Sequence, residues 1–157
     1  MRTLIKIFVL CTVLFFSGQL FAQSTPPSVE DEIIAVTYAA WKAQMEKNAT
    51  EANKILADEY TEFNSEASTR LDGKEISVRL GDAVLLGSTK VISAEMLNPK
   101  VQVYGDVAIL SYNYLGLNQD HDGKTSTMKA KSTRVYVKMN GNWMLVHANF
   151  ASDPNTN

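Results

Sequence analysis

The sequence predicts an α+β domain in which helices come first and a sheet of long antiparallel strands follows. Near the start, apolar side chains recur at helical spacing, and Ile34, Tyr38, Trp41 and Met45 share one face. From Val91 onward the period changes to two, and β-branched and aromatic residues accumulate, as is typical of strands. A sheet of this length can curl around the helices and leave a cavity at one open end.

The composition narrows the class of protein. The chain has 157 residues, of which 45% are hydrophobic and 20% charged, with 15 basic and 17 acidic side chains. This is the material of one globular domain, and it is too apolar for a disordered chain. A near-neutral charge balance supplies no polybasic surface, so we expect no nucleic-acid partner.

The first 22 residues have the layout of a secretory signal. Arg2 and Lys6 precede an apolar core over residues 7–16, and the segment ends on the small residue Ala22. That core is shorter than the roughly 20 residues of a spanning helix. We therefore expect cleavage after Ala22, a secreted or periplasmic protein, and no membrane partner once the signal is removed. A single membrane anchor is the alternative.

The predicted domain organisation follows from this signal. Residues 1–22 are the signal peptide and residues 23–27 a flexible leader. Residues 28–152 form the domain, and residues 153–157 a polar tail. The only cysteine, Cys11, lies in the signal, so the mature chain would carry no disulfide and no cysteine metal ligand.

The predicted helices begin at recognisable caps. Ser28 opens the first helix, with Asp31 three positions on as its capping-box partner. Thr50 is the predicted N-cap of a short second helix that reaches about Asp58. After these we expect a short strand over residues 60–64 and a weaker helix over residues 75–86.

Turn signals divide the second half of the chain into strands. One strand is closed by Asn98-Pro99, a second long strand is interrupted by a turn or bulge at Gly105-Asp106, and Asp122-Gly123 and Asn140-Gly141 end the next two segments. The predicted strands are residues 91–97, 101–117 with that interruption, 125–139 and 143–150.

The Asn140-Gly141 turn allows cross-strand neighbours to be predicted. A two-residue loop places Arg134 opposite His147 and Ser132 opposite Asn149, on one face of the sheet. The opposite face is then almost wholly apolar; it consists of Thr133, Val135, Val137, Met144, Val146 and Ala148.

The polar end of the first face is the candidate site. Within a concave site, the planar fork of Arg134 would bind a carboxylate or another anion. His147 could donate a hydrogen bond or move a proton, and it is the one catalytic candidate. The alternative is a solvated sheet face with a surface arginine. Asp120-His121-Asp122 fits a solvated loop better than a metal site, so we expect no metal and no cofactor.

Several short motifs resemble the association (hub) domain of calcium/calmodulin-dependent protein kinase II, and the similarity runs from about Val29 to Ser152. No kinase domain is present in the sequence. The resemblance implies a nuclear transport factor 2-like, or cystatin-like, cone in which a curved antiparallel sheet wraps a long N-terminal helix. The motifs are residues 32–37, Leu97-Asn98-Pro99, Gly105-Asp106, residues 132–136, Gly141-Asn142-Trp143 and Val146-His147.

The resemblance also implies a pocket arginine, and Arg134 stands at the position of that arginine. The sequence departs from the family at four other positions. The family has a second histidine where this chain has Asn149, and a pocket histidine at Ser77. Further pocket arginines of some members fall at Phe150 and Tyr114.

Together these observations predict a secreted domain that binds a small, partly apolar anion in a conical pocket and forms a homodimer or a higher homo-oligomer. One alternative is an enzyme of the isomerase, dehydratase or cyclase type that uses the same pocket, and whether the protein is an enzyme stays open. Another is an oligomerisation module with a vestigial pocket. The predicted ligand-binding residues are Arg134, His147, Asn149, Tyr136, Tyr114, Trp41 and Tyr38.

Overall fold

A computed structural model describes residues 26–64, 67–85 and 89–153 of the chain. The predicted signal peptide, and residues 154–157 of the predicted tail, lie outside the described residues. The described helices are α1 (Val29–Met45), α2 (Ala49–Ala52) and α3 (Lys74–Leu85), with a 3-10 turn over Asn53–Ile55. The strands are β1 (Leu56–Phe63), β2 (Leu71–Asp72), β3 (Lys90–Tyr104), β4 (Val107–Gln119), β5 (Thr125–Met139) and β6 (Asn142–Ser152).

The strands form one six-stranded sheet in the order β2-β1-β6-β5-β4-β3. Every pairing is antiparallel except that of β1 with β6, which is parallel. The pairings of β1 with β6, β3 with β4 and β5 with β6 each contain an irregularity, and such bulges bend a sheet. The predicted α+β class is confirmed, with the first strand inserted beside the last.

The predicted start of α1 is confirmed. The Ser28 hydroxyl accepts a hydrogen bond from the Asp31 amide at 3.2 Å, and the Asp31 carboxylate accepts one from the Ser28 amide at 3.2 Å. For α2 the prediction is wrong, because Asn48 rather than Thr50 caps it and accepts from the Glu51 amide at 3.1 Å. The helix is also shorter than predicted, since the chain from Leu56 onward pairs with β6 instead.

Two predicted strand boundaries are corrected. The strand does not end at Asn98-Pro99, because β3 continues to Tyr104 through an irregularity at which Asn98 takes a left-handed φ of 51°. At Gly105-Asp106 the chain reverses into β4, so these segments form a hairpin rather than one long strand. The 125–139 strand is confirmed. The Asn140-Gly141 turn is confirmed as well, with φ values of 50° and 82° that suit a type I′ hairpin.

A buried hydrogen bond fixes α1 on the concave face of the sheet. The Thr37 hydroxyl donates to the Ile33 carbonyl at 2.7 Å and lies 2.8 Å from the phenol oxygen of Tyr136. Since the Thr37 hydroxyl has only one hydrogen, Tyr136 is the donor in the second bond. Thr37 and Tyr136 are fully buried at the centre of the hydrophobic core.

The N-terminal half of α1 is held against the sheet by polar contacts with Trp143 and Lys138. The Trp143 indole donates to the Glu32 carboxylate at 2.9 Å. The Lys138 ammonium lies 4.0 Å from that carboxylate and 5.2 Å from the centroid of the Trp143 ring. One end of the cone is therefore shut, and any open space lies towards the C-terminal half of α1.

The convex face of the sheet carries a run of half-buried apolar side chains that no described helix covers. Five of the six residues predicted for the apolar face lie on this convex face, and of these Thr133 is exposed. Ala148 is the exception, because it is fully buried on the concave side. Within the described residues, no helix is both long and apolar enough to cross a membrane. The half-buried apolar residues of this face are Val107, Ile109, Leu115, Leu117, Val135, Val137, Met144 and Val146.

Removing the Tyr136 hydroxyl tests the contact that holds α1. We expect Tyr136→Phe to lower the free energy of unfolding by about 1 kcal/mol, the net value of one hydrogen bond. Tyr104→Phe is the matched control, because Tyr104 is 61% exposed. Urea denaturation of both variants measures the difference, and equal midpoints would show that the buried bond does not stabilise the fold.

Candidate functional site

A cavity of about 680 Å³ opens between the C-terminal half of α1, the start of α3 and the concave face of the sheet. Its wall is mostly apolar, with a small number of polar side chains. The aromatic and polar residues that line it are Trp41, Gln44, Asn53, Tyr60, Glu62, Asn64, Ser77, Tyr112, Tyr114, Arg134 and Phe150.

Arg134 lies on β5 and brings a positive charge into this cavity. Its side chain is held by aromatic residues from α1, β4 and β6. Its Nε donates to the phenol oxygen of Tyr112 at 2.9 Å. The guanidinium carbon lies 5.8 Å from the Trp41 ring centroid, 5.9 Å from that of Tyr112 and 5.3 Å from that of Phe150. These contacts orient the planar guanidinium inside the cone rather than towards bulk solvent.

Arg134 has no acidic partner in the part of the chain that the structure describes. The residue is only 8% exposed, and no carboxylate oxygen of the described residues lies within 4.0 Å of its guanidinium nitrogens. Burial disfavours the charged form, but the phenol oxygens of Tyr112 and Tyr136 outweigh it and hold the pKa of Arg134 above its ordinary value. The cavity therefore contains a permanent buried cation, and the groups in contact with it among the described residues are neutral.

A carboxylate also lines the cavity, on the β1 side. Tyr60 donates to one oxygen of Glu62 at 2.6 Å, and the side-chain amide of Asn64 donates to the other at 2.5 Å. Burial, followed by the charge of Glu62, raises the pKa of Tyr60 well above its ordinary value. The Tyr60 phenol thus keeps its proton and acts as a donor to Glu62.

Of the seven predicted ligand-binding residues, the structure brings Arg134, Trp41 and Tyr114 together along the cavity. Tyr136 is not among the lining residues, because its ring is fully buried beneath them and its hydroxyl is bonded to Thr37. Tyr38 is 40% exposed and accepts a hydrogen bond from the Met96 amide at 3.1 Å, outside the cavity.

The predicted pairing of Arg134 with His147 is wrong. The register set by the Asn140-Gly141 turn holds as far as Tyr136 opposite Leu145, but then one extra residue enters β6 and Val135 lies opposite His147. Arg134 consequently pairs with Ala148. A bulge of this kind reverses the face of every later side chain, and no spacing rule in the sequence predicts it.

His147 and Asn149 therefore lie on the convex side of the sheet. The Nδ1 atom of His147 is 2.8 Å from the Thr61 hydroxyl, and its ring packs edge-on against Phe63. Asn149 lies opposite Thr133 and is exposed, so it borders a shallow depression on the convex face. The enzyme alternative loses its acid–base candidate with this placement, because His147 does not line the cavity.

The sequence indicates that Glu62, Glu66 or Asp72 could place a carboxylate near the cavity mouth, but their spacing singles out none of them. The parallel pairing of β1 with β6 brings Glu62 to the cavity. Sequence reasoning missed Tyr60, Tyr112 and Phe150 as site residues. Tyr112 lies two residues from Tyr114 on β4, and Phe150 lies two residues from Ala148 on β6, so strand alternation places both on the concave face once the bulge is known. Three of the four positions at which the sequence departs from the hub pattern, Ser77, Tyr114 and Phe150, do line the cavity.

The Asp120–Asp122 segment forms a hairpin turn. The carboxylate of Asp120 accepts hydrogen bonds from the amides of Asp122 and Lys124 at 3.0 and 2.9 Å. Within residues 26–64, 67–85 and 89–153, no three histidine, cysteine, aspartate or glutamate side chains are grouped so that they could hold a metal ion.

Comparison with known proteins identifies relatives along nearly the whole described region. The chain is 31% identical over 127 residues to the delta subunit of calcium/calmodulin-dependent protein kinase type II from Oryctolagus cuniculus, which covers 80% of this chain. The chain spans only 24% of that kinase.

Two solved structures show the same architecture. The association domain of the Caenorhabditis elegans kinase superposes with a TM-score of 0.65 at 25% identity, covering 76% of this chain and 92% of that one. A nuclear transport factor 2-like protein of unknown function from Pseudomonas putida superposes with a TM-score of 0.65 at 18% identity, covering 81% and 89% of the two chains. The predicted cone-shaped fold is therefore confirmed.

The family model of the calcium/calmodulin-dependent protein kinase II association domain matches residues 29–154. This match includes α1, every strand of the sheet and all the residues that line the cavity. The chain belongs to the family of calcium/calmodulin-dependent protein kinase II association domains.

Proposed function

We propose that this domain self-associates and that its cavity holds a small, partly apolar molecule through a carboxylate on Arg134. The observation that carries the second part is the buried guanidinium with no acidic partner among the described residues, facing a largely apolar cavity. The name of the matching family, an association domain, supports the first part.

The energetics of Arg134 favour a bound anion. A buried ion without an opposite charge costs several kcal/mol of folding free energy, even after relaxation of its surroundings. Contacts of the guanidinium with three aromatic rings, each worth about 0.5–2 kcal/mol, offset part of this cost. A carboxylate that binds the terminal guanidinium nitrogens would supply an opposite charge in the bidentate geometry that arginine favours.

The cavity has the dimensions and lining of a ligand site. Its volume of about 680 Å³ lies within the usual range for small-molecule pockets. Leu56, Leu71 and Leu145 contribute apolar wall around Arg134. Such a wall excludes water, and the attraction between Arg134 and an anion is stronger in that environment than in solvent.

The convex face of the sheet is the surface that we assign to self-association. Val135 and Val137 on β5 lie beside Met144 and Val146 on β6, and all four are half-buried without a helix above them. Monomers rarely expose apolar patches larger than a few hundred Å². A two-fold pairing of these faces would cover the patch in both copies, and a larger ring is the alternative arrangement.

Removal of the Arg134 charge tests the binding site. In wild-type protein we expect benzoate or 3-phenylpropanoate to raise the melting temperature and to bind in calorimetry. Arg134→Met should weaken this binding by about 1.5–3 kcal/mol, the value of hydrogen bonds to a charged group. Arg134→Lys should recover only part of the loss, because an ammonium lacks the planar fork.

The matched control is Lys129→Met, which removes a positive charge from an exposed position on the same strand. It should leave carboxylate binding unchanged. Binding that survives equally in Arg134→Met and Lys129→Met would show that Arg134 does not hold the ligand. Absence of binding to every carboxylate tested would favour an association module with a vestigial pocket.

A charge on the convex face tests self-association. We expect wild-type protein to be a dimer or a larger oligomer at micromolar concentration, and Val135→Glu to shift it towards monomer without unfolding it. A buried, unpaired carboxylate in an interface costs several kcal/mol, so the shift should be large. Light scattering measures the mass; Thr125→Glu, at the exposed start of the same strand, is the control. A monomeric wild-type protein would contradict the proposal.

We also propose that the protein is exported and that the mature chain begins at Gln23, on the strength of the charged and apolar pattern of residues 1–22. Intact-mass measurement on protein purified from its native host should give the mass of residues 23–157. Recovery of the uncleaved chain from a membrane fraction would instead indicate an anchor.

A further inference from the structure

A second charge, on the half-buried side chain of Glu62, faces the same cavity as Arg134, and its hydrogen-bond partners among the described residues are neutral. The two oxygens of Glu62 accept hydrogen bonds from the Tyr60 phenol and the Asn64 amide. No lysine, arginine or histidine nitrogen of the described residues lies within 4.0 Å of this carboxylate. Among the described residues, the cavity thus contains one cation and one anion that do not pair with each other.

The register of the sheet explains why these charges stay apart. Glu62 on β1 and Arg134 on β5 are both partners of Ala148 on β6, one on each side. Adjacent strands lie about 4.8 Å apart, so the two backbone positions are separated by roughly 10 Å. Residues directly opposite one another project from the same face, so both side chains project over the small, fully buried Ala148 into the cavity.

We propose that the ligand of this cavity is an amino carboxylate, with its carboxylate on Arg134 and its protonated amine on Glu62. This inference rests on the proposed binding of a carboxylate and names the second charge of that ligand. A purely anionic ligand would gain from Arg134 but would be repelled by Glu62 in a surrounding of low polarity. A molecule with both charges is attracted at both ends, and its uncharged part would contact the aromatic and aliphatic wall.

The Tyr60 phenol strengthens this assignment because it holds Glu62 in place. Tyr60 is only 3% exposed and donates to one oxygen of Glu62, while Asn64 donates to the other. A carboxylate has about four acceptor positions, so Glu62 can still receive an ammonium without losing either donor. Arg134 likewise keeps its bond to Tyr112 through Nε, and a ligand carboxylate would approach its terminal nitrogens.

Matched ligands that differ by one charge test the proposal. One set is L-phenylalanine, 3-phenylpropanoate and 2-phenylethylamine, and another is 5-aminopentanoate, pentanoate and pentylamine; the two sets place the charges at short and long separation. Calorimetry with the full mature domain should show that at least one amino carboxylate binds about tenfold more tightly than both partners in its set, as expected for a hydrogen bond between charged groups.

The substitution Glu62→Gln should change the affinity for the two ligand types in opposite directions. It keeps the size of the side chain and an acceptor for Tyr60 but removes the charge. We expect the variant to bind the amino carboxylate about tenfold more weakly. It should bind the simple carboxylate more tightly, because the repulsion by Glu62 is removed. Glu59→Gln is the control, since Glu59 is an exposed carboxylate on the same strand. Far-UV circular dichroism of each variant checks that it is folded.

The possible results distinguish the amino carboxylate proposal from the more general proposal that Arg134 binds a carboxylate. The amino carboxylate proposal would be rejected if simple carboxylates bound through Arg134 as tightly as their amino derivatives. It would also be rejected if Glu62→Gln left the preference between the two ligand types unchanged. Either result would be compatible with an anion-binding pocket. If no carboxylate of either set binds, both proposals are rejected.

Discussion

One extra residue in β6 sets which side chains share the cavity with Arg134. Up to Leu145 the hairpin follows the register of its two-residue turn, and beyond it the register is shifted by one. This shift places Ala148, a side chain with a single carbon, between the strands that carry Arg134 and Glu62. A larger side chain at this position would fill the space that both charges face, so the cavity depends on the bulge as much as on the curvature of the sheet.

The parts of the fold that local chemistry determines could be predicted from the sequence. The capping box at Ser28, the Asn140-Gly141 turn and the alternating strand that contains Arg134 are each encoded within a few residues, and the structure has them as expected. Trp41 could be placed at the cavity through its helical face, whereas Arg134 and Tyr114 could be placed there through the resemblance to the hub family. The bulge and the parallel entry of β1 depend on packing between distant segments, so the positions of His147 and Asn149 could not be predicted, and Glu62 could not be singled out from Glu66 and Asp72.

The two ends of the cone treat polar groups in opposite ways. At the closed end, polar atoms are paired within the protein: Thr37 with Tyr136, and Trp143 with Glu32. At the open end, Arg134 and Glu62 face the cavity, and their hydrogen-bond partners among the described residues are neutral. The buried charge of Arg134 lowers the stability of the domain relative to an apolar side chain of similar size. The closed end therefore stabilises the fold, and the open end carries a cost that the proposed ligand would offset.

The strand at the margin of the sheet limits how copies of this domain can meet. β3 has one neighbour, β4, and its other side presents backbone amides and carbonyls that could recruit a further strand. Three features obstruct such recruitment. Asn98 has a left-handed backbone conformation, and Pro99 has no amide hydrogen. The Met96 amide already donates a hydrogen bond to the Tyr38 hydroxyl. Sheet extension from this edge to another molecule, the geometry of fibrils, is thereby disfavoured. Self-association through the convex face, as proposed above, would instead close within a pair of copies or a ring.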